Sequence, residues 1–283
     1  MRFIRFLFLL CVLALAAAPV ALALRFTDDD FDIPVGQIGK PYSKEFHGGA
    51  GCGPALPYQY RILSGNLPPG IALDSSGLFS GSPTRVGSWS FWVELSDQDP
   101  PTASWCVPKK SQREFTITVA PSALTAEVAR PFRETLPGTG WSLPLGVALP
   151  QGLAFDPTSG VISGEPTAAG SSLVQLVHTN ALGWKNTVGI ELRVAPELNL
   201  VTGALHAAKA NRAYSGPLEA RGGVAPYTWR IVRGTLPAGI HLGSRTGVLT
   251  GTAHRTATAR LTVRVSDRLH AVATRSFVLK IVR

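Results

Sequence analysis

The chain has 283 residues, 45% of them hydrophobic and 16% charged, with 29 Gly, 22 Pro and a formal net charge of +9. Gly and Pro at about 18%, against roughly 12% in an average protein, and charge below the usual ~25% exclude a coiled coil, a helical bundle and general disorder. The composition suits a chain with an ample core and frequent turns.

Residues 1–23 read as a secretory signal peptide. Arg2 and Arg5 precede an apolar run from Phe6 to Leu24 that only Pro19 interrupts, and Ala21-Leu22-Ala23 forms a small-x-small cleavage site. A run of this length could also be kept as an anchor, but Pro19 and the alanines favour cleavage. No later stretch is long and apolar enough to span a bilayer as a helix. Export would leave Cys52 and Cys106 as an even pair in an oxidising compartment, with no C-x-x-C or Cys/His cluster to suggest zinc.

The rest of the chain repeats itself three times. Leu67-Pro68-Pro69-Gly70 recurs as Leu149-Pro150-Gln151-Gly152 and as Leu236-Pro237-Ala238-Gly239. A second phrase follows each: Gly77-Leu78-Phe79-Ser80-Gly81, Gly160-Val161-Ile162-Ser163-Gly164 and Gly247-Val248-Leu249-Thr250-Gly251. The second phrases lie 83 and 87 residues apart, and an ungapped register continues to Asp97, Asn180 and Asp267.

Within that register Phe91, Val93 and Leu95 alternate with Ser90, Trp92 and Glu94, as Leu261, Val263 and Val265 do with Arg260, Thr262 and Arg264. This is the period-two mark of a half-buried strand. Alternating runs at Phe115–Val119, Val188–Leu192 and Phe277–Ile281 close the copies. Ser122–Arg130 alternates Leu124, Ala126 and Val128 where the second copy needs its first strand. Repeats of about 85 residues with roughly seven short strands predict an all-β chain of three tandem antiparallel β-sandwich domains over residues 24–120, 121–195 and 196–283.

The phrases G-G-x-x-P-Y-x-W, L-P-x-G and G-x-x-[ST]-G resemble those of the bacterial immunoglobulin-like repeats related to dystroglycan-type cadherin-like domains. Gly222-Gly223, Pro226-Tyr227, Trp229, Leu236–Gly239, Gly247–Gly251 and Asp267 match in the third copy. The first matches from Gly48-Gly49 to Asp97 with an insertion; the second lacks the Gly-Gly-x-x-Pro-Tyr loop and has Asn180 in place of the Asp. The resemblance implies exported, non-catalytic modules of surface and adhesion-type proteins.

It also implies a strand order in which C (Tyr58–Ile62, Tyr227–Ile231), F (Ser90–Leu95, Arg260–Val265) and G (Phe115–Val119, Phe277–Ile281) are neighbours. In that topology the B–C and F–G loops of domain one share an end. Both loops are longer than their counterparts and each carries a cysteine, so Cys52 and Cys106 are expected to form a disulfide. Such a staple is worth about 4 kcal/mol on chain entropy.

Charge is concentrated in the third domain. Residues 24–120 carry 8 basic and 10 acidic groups, residues 121–195 carry 4 and 5, and residues 196–283 carry 13 and 3. Alternation puts Arg230, Arg260, Arg264 and Lys280 outward on strands C, F, F and G, predicting one basic face. Such a face would bind an anionic polymer: lipopolysaccharide, anionic lipid, acidic glycan or nucleic acid. Solvated surface arginine is the plainer alternative.

Other features give weaker expectations. Trp92, outward on F, and Trp105, beside Cys106, could stack on a surface glycan or could simply pack. Asp97 and Asp99 faintly resemble the acidic calcium-binding linker of cadherins, although Asp97, like Asp267, also suits turn capping. Leu136–Gly140 spells a sorting signal too far from the C-terminus to be one. The six His residues are scattered, with no H-E-x-x-H or G-x-S-x-G. His178, at an inward position, reads as a core histidine. The reading is therefore a non-enzymatic module without a cofactor, whose partner is an anionic polymer, a surface glycan or another exported protein. The rival is the accessory part of a secreted hydrolase.

Overall fold

The structure, a computed structural model, describes residues 23–27, 33–51, 57–97 and 109–283. The signal sequence up to Leu22, Cys52, Asp99, Trp105 and Cys106 lie outside the described residues. Among the described residues there is no helix; of 25 strands, 21 build three successive two-sheet sandwiches, and the other four form two small pairs, Arg25–Phe26 with Gly48–Gly49 and Asn199–Leu200 with Ala220–Arg221.

Each sandwich pairs a four-stranded sheet with a three-stranded one. In domain one the larger sheet runs Gly36–Gln37, Lys110–Ala120 (G), Gly87–Ser96 (F) and Gln59–Gly65 (C). In domain two the order is Ala123–Glu127, Lys185–Ala195, Gly170–Thr179 and Trp141–Ser142. In domain three it is Ala208–Lys209, Val272–Val282, Ala257–Ser266 and Thr228–Arg233. The first strand of each set runs parallel to G, and the others pair antiparallel. The smaller sheets place Leu78–Gly81, Val161–Gly164 and Val248–Thr252 (E) between strand B (Tyr42–Glu45, Phe132–Thr135, Ala213–Pro217) and strand D (Ile71–Leu73, Leu153–Asp156, Ile240–Leu242).

The alternation of the long strands fills the cores. Phe91, Val93 and Leu95 are fully buried in domain one with Phe79 and Ile117, and Phe26, Phe46 and Phe115 complete an aromatic cluster with edge-on and tilted contacts. Tyr60, Trp141 and Trp229 occupy one equivalent position on strand C, each opposite an inward residue of F: Leu95, His178 and Val265. His178 is buried edge-on against Trp141 at 4.8 Å, and burial pushes its pKa down, which keeps the ring neutral.

The two recurrent phrases occur together because their backbones interlock. The L-P-x-G turn is closed by Ile71 N–H to Pro68 O, Leu153 N–H to Pro150 O and Ile240 N–H to Pro237 O, all at 3.0 Å. Its glycine carbonyl then accepts from the residue that follows the last glycine of the second phrase: Ser82, Glu165 and Thr252, at 2.9–3.0 Å. Gly81, Gly164 and Gly251 have φ of 140°, 138° and 135°, and a Cβ on any of them would collide with the carbonyl oxygen of Gly70, Gly152 or Gly239. Both the dihedral and the contact exclude a side chain there.

Successive domains are latched by one equivalent residue at the end of the short strand parallel to G. In domain one this is Gln37, whose Nε2 donates to Gly189 O of domain two at 2.8 Å. In domain two it is Glu127, whose Oε1 accepts from the N–H of Leu198 at 2.8 Å. Apolar packing follows the same path, since Val35 of domain one packs on the core of domain two.

Candidate functional site: a basic sheet face

The outer face of the C–F–G sheet differs in charge between domains one and three. In domain one, Arg61 on C stands directly opposite Glu94 on F, and its Nε donates to Glu94 Oε1 at 2.8 Å. Lys110 and Gln112 on strand G also donate to this carboxylate, at 3.1 and 3.0 Å. These donors, Arg61 foremost, hold the Glu94 pKa at about 2 against the penalty of burial.

The same two positions in domain three hold Arg230 and Arg264, again directly opposite one another. Like charges facing each other across a ladder are unfavourable. Of the three acidic residues between 196 and 283, Asp267 has both oxygens engaged: Oδ2 by Val224 N–H and Oδ1 by Ala271 N–H at 2.8 Å. Among the described residues no ion pair involves Arg230, Arg260, Arg264 or Lys280. Arg264 Nε is buried and has no hydrogen-bond partner.

The register places these side chains on one surface. Arg260, Thr262 and Arg264 share a face of F, opposite Val278, Ser276 and Thr274 of G, and Lys280 lies on that face of G opposite Thr258. Arg230, Arg260 and Lys280 are exposed, and Arg264 is half-buried. At the centre the hydroxyls of Thr262 and Ser276 hydrogen-bond at 3.1 Å.

A fifth cation joins them that strict alternation misses. Alternation from Arg230 would turn Arg233 inward, but strand C bulges between Ile231 and Arg233, and Arg233 pairs with Thr262 on the outer face, exposed. Domain one has the same irregularity, with Ser64 opposite Trp92. The bulge is thus shared by the first and third copies.

The remaining candidates are dispersed. Trp92 is 41% exposed on the outer face of F, between Ser64 and Glu114, while its proposed companion Trp105 lies outside the described residues. Asp97 is described and Asp99 is not; among the described residues no group of three or more His, Cys, Asp or Glu side chains could hold a metal ion. Asp267 joins the B–C and F–G loops through its two backbone partners, and Asn180 in domain two accepts from Leu182 and Trp184 N–H at 2.9 and 3.0 Å. In domain one the Asp97 carboxylate fills the space a Cβ on Gly51 would take, so Gly51 and Asp97 are in contact; Cys52 and Cys106 lie outside the described residues.

The fold defines tandem immunoglobulin-like sandwiches. The chain belongs to the family described as "Putative Ig domain", whose profile matches residues 31–120, 114–195 and 198–282. It is also similar to the "Serine-rich adhesin for platelets" of Staphylococcus aureus, strain USA300, at 33% identity over 143 residues. That match covers 45% of this chain and only 6% of the adhesin; in strain MRSA252 it covers 10% of the adhesin. Among solved structures, mouse cadherin-23 EC22-24 aligns with 92% of this chain and 99% of its own, at 14% identity and a TM-score of 0.29. Drosophila OTK extracellular domains 3–5 align with 94% and 99%, at 13% identity and a TM-score of 0.34.

Proposed function

We propose that the chain is an exported, non-catalytic adhesion-type binding module, in which a common immunoglobulin-like framework presents a different outer sheet face in each repeat. The observation that carries this reading is the contrast between Arg61–Glu94 and Arg230–Arg264: two equivalent positions, one internally neutralised and one left for a partner. The core positions behind them, Tyr60 with Leu95 and Trp229 with Val265, stay apolar and buried. The stretch similar to the staphylococcal adhesin supports the same reading, as does the leader-like sequence at residues 1–23. Among the described residues no helix is long and apolar enough to cross a membrane. The Cys52–Cys106 staple belongs to this reading, supported by the adjacency of Gly51 and Asp97.

The experiment is direct binding of the purified chain to arrays of glycans and extracellular proteins, run beside a panel of hydrolase substrates. Saturable binding without product formation is expected. Turnover of any substrate, or binding to nothing on the arrays, would contradict the reading.

A further inference from the structure

We propose that the outer C–F–G face of domain three binds an acidic polysaccharide, gripping its carboxylate or sulfate groups with Arg230, Arg233, Arg260, Arg264 and Lys280. The inference rests on the adhesion reading and names the partner of that surface.

Three observations carry it. The first is the unneutralised cross-strand pair Arg230–Arg264 at the position where domain one has the ion pair Arg61–Glu94. A sheet that keeps two guanidinium groups opposite each other gives up stability locally, a violation characteristic of functional surfaces. The second is the buried Nε of Arg264, a donor with no partner in the protein, where an unsatisfied buried donor is costly. The third is the bulge that returns Arg233 to the outer face, giving strand C a second outward cation beside Arg230.

The chemistry of the face selects among polyanions. Four of the five cations are arginines, whose planar forks match carboxylate and sulfate bidentately. Arg260 and Arg264 lie four residues apart on one strand, about 13 Å, so they reach successive anions of a chain and not one ion. Between them the Thr262 and Ser276 hydroxyls offer hydrogen bonds suited to sugar hydroxyls. The face of F and G holds Thr258, Thr262, Thr274, Ser276 and Val278 and no aromatic ring, whereas single-stranded nucleic acid is held largely by stacking on rings.

The test uses the full chain, with heparin as the acidic polysaccharide, an oligothymidine strand and phosphatidylglycerol-containing vesicles as rival polyanions. The wild-type chain is expected to bind heparin, and Arg260→Ser/Arg264→Ser to weaken binding at least tenfold. The slope of log Kd on log salt should fall by about two, one for each guanidinium removed. Arg85→Ser/Arg133→Ser, which removes the same charge from exposed sites in the other domains, should leave binding within twofold. Equal loss in both double variants would reduce the effect to net charge and overturn the proposal. Tighter binding to oligothymidine or vesicles than to heparin at equal salt would reassign the face to another class of polyanion. A chain that ignores heparin yet binds other array ligands would overturn this proposal and leave the adhesion reading standing; one that binds nothing would overturn both.

Discussion

Arg61 and Glu94 form a 2.8 Å ion pair across strands C and F of domain one, and the same pair of positions in domain three is Arg230 and Arg264. One framework thus supports opposite electrostatic solutions at a single point of the sheet. Glu94 is itself nearly fully buried and collects three side-chain donors. Its folded pKa of about 2 lies below the ordinary carboxylate value of 4.5. A depressed folded pKa contributes stability above the unfolded value that is lost as pH falls through the folded one. Domain one should therefore lose stability between about pH 4.5 and 2, and Glu94→Gln should flatten that part of the curve. At pH 7 the same substitution should cost about 1 kcal/mol, because the arginine and lysine partners are largely exposed. Chemical denaturation at several pH values measures both effects.

Glu127 gives the opposite pH signature. Its side chain is 1% exposed, Oε2 has no hydrogen-bond partner, and the nearest cation is Arg130 Nε at 3.8 Å. Burial raises its pKa first, and Asp267 and Glu197 of domain three add to the rise, against the Leu198 N–H and Arg130. A raised carboxylate pKa means the folded state holds the proton more tightly, so this group's contribution declines as pH rises above 4.5. Glu127→Gln should abolish that decline while keeping an acceptor for Leu198. Glu127→Ala should leave the N–H unpaired and make the linker near Leu198 more susceptible to limited proteolysis at neutral pH.

The interlocked glycines set a steric test. Gly164→Ala or Gly251→Ala must find room at a positive φ where a carbonyl oxygen already sits. Each should destabilise its own domain by at least about 2 kcal/mol. Gly170→Ala, where a Cβ meets nothing within 4 Å, should be close to neutral. Thermal unfolding of the three variants separates them.

The exported chain should hold no free thiol if Cys52 and Cys106 are paired. Alkylation under denaturing, non-reducing conditions should label neither, and Cys52→Ser should lower the stability of domain one by roughly 2–5 kcal/mol. Labelling of both cysteines in the exported protein would refute the pairing.

Much of this architecture is legible in the sequence because it depends on local pattern. Alternation at Phe91–Leu95 and Leu261–Val265 marks buried strands, and the paired Gly phrases mark turns that only glycine can make. Another shared phrase is harder to see: Gly39-Lys40-Pro41-Tyr42, Ala129-Arg130-Pro131-Phe132 and Asn211-Arg212-Ala213-Tyr214 make one recurrent turn, with Gly39, Ala129 and Asn211 all at positive φ. Its first residue varies, which hides it. Arg233 is illegible because a bulge breaks the period on which alternation depends. Glu127 is illegible for a different reason: its partner, Leu198, belongs to the next domain, 71 residues away.

The most direct measurement is Arg264→Glu in the full chain, because it installs in domain three the ion pair that domain one already has. Facing Arg230 across the ladder, the new carboxylate should stabilise the domain by roughly 0.2–1 kcal/mol beyond removal of the repulsion, so thermal unfolding should shift upward. Heparin affinity should fall at least tenfold in the same protein. A variant that gains stability and loses binding is the result predicted for a surface kept unneutralised for a partner. Unchanged heparin affinity in a folded Arg264→Glu variant would contradict the account.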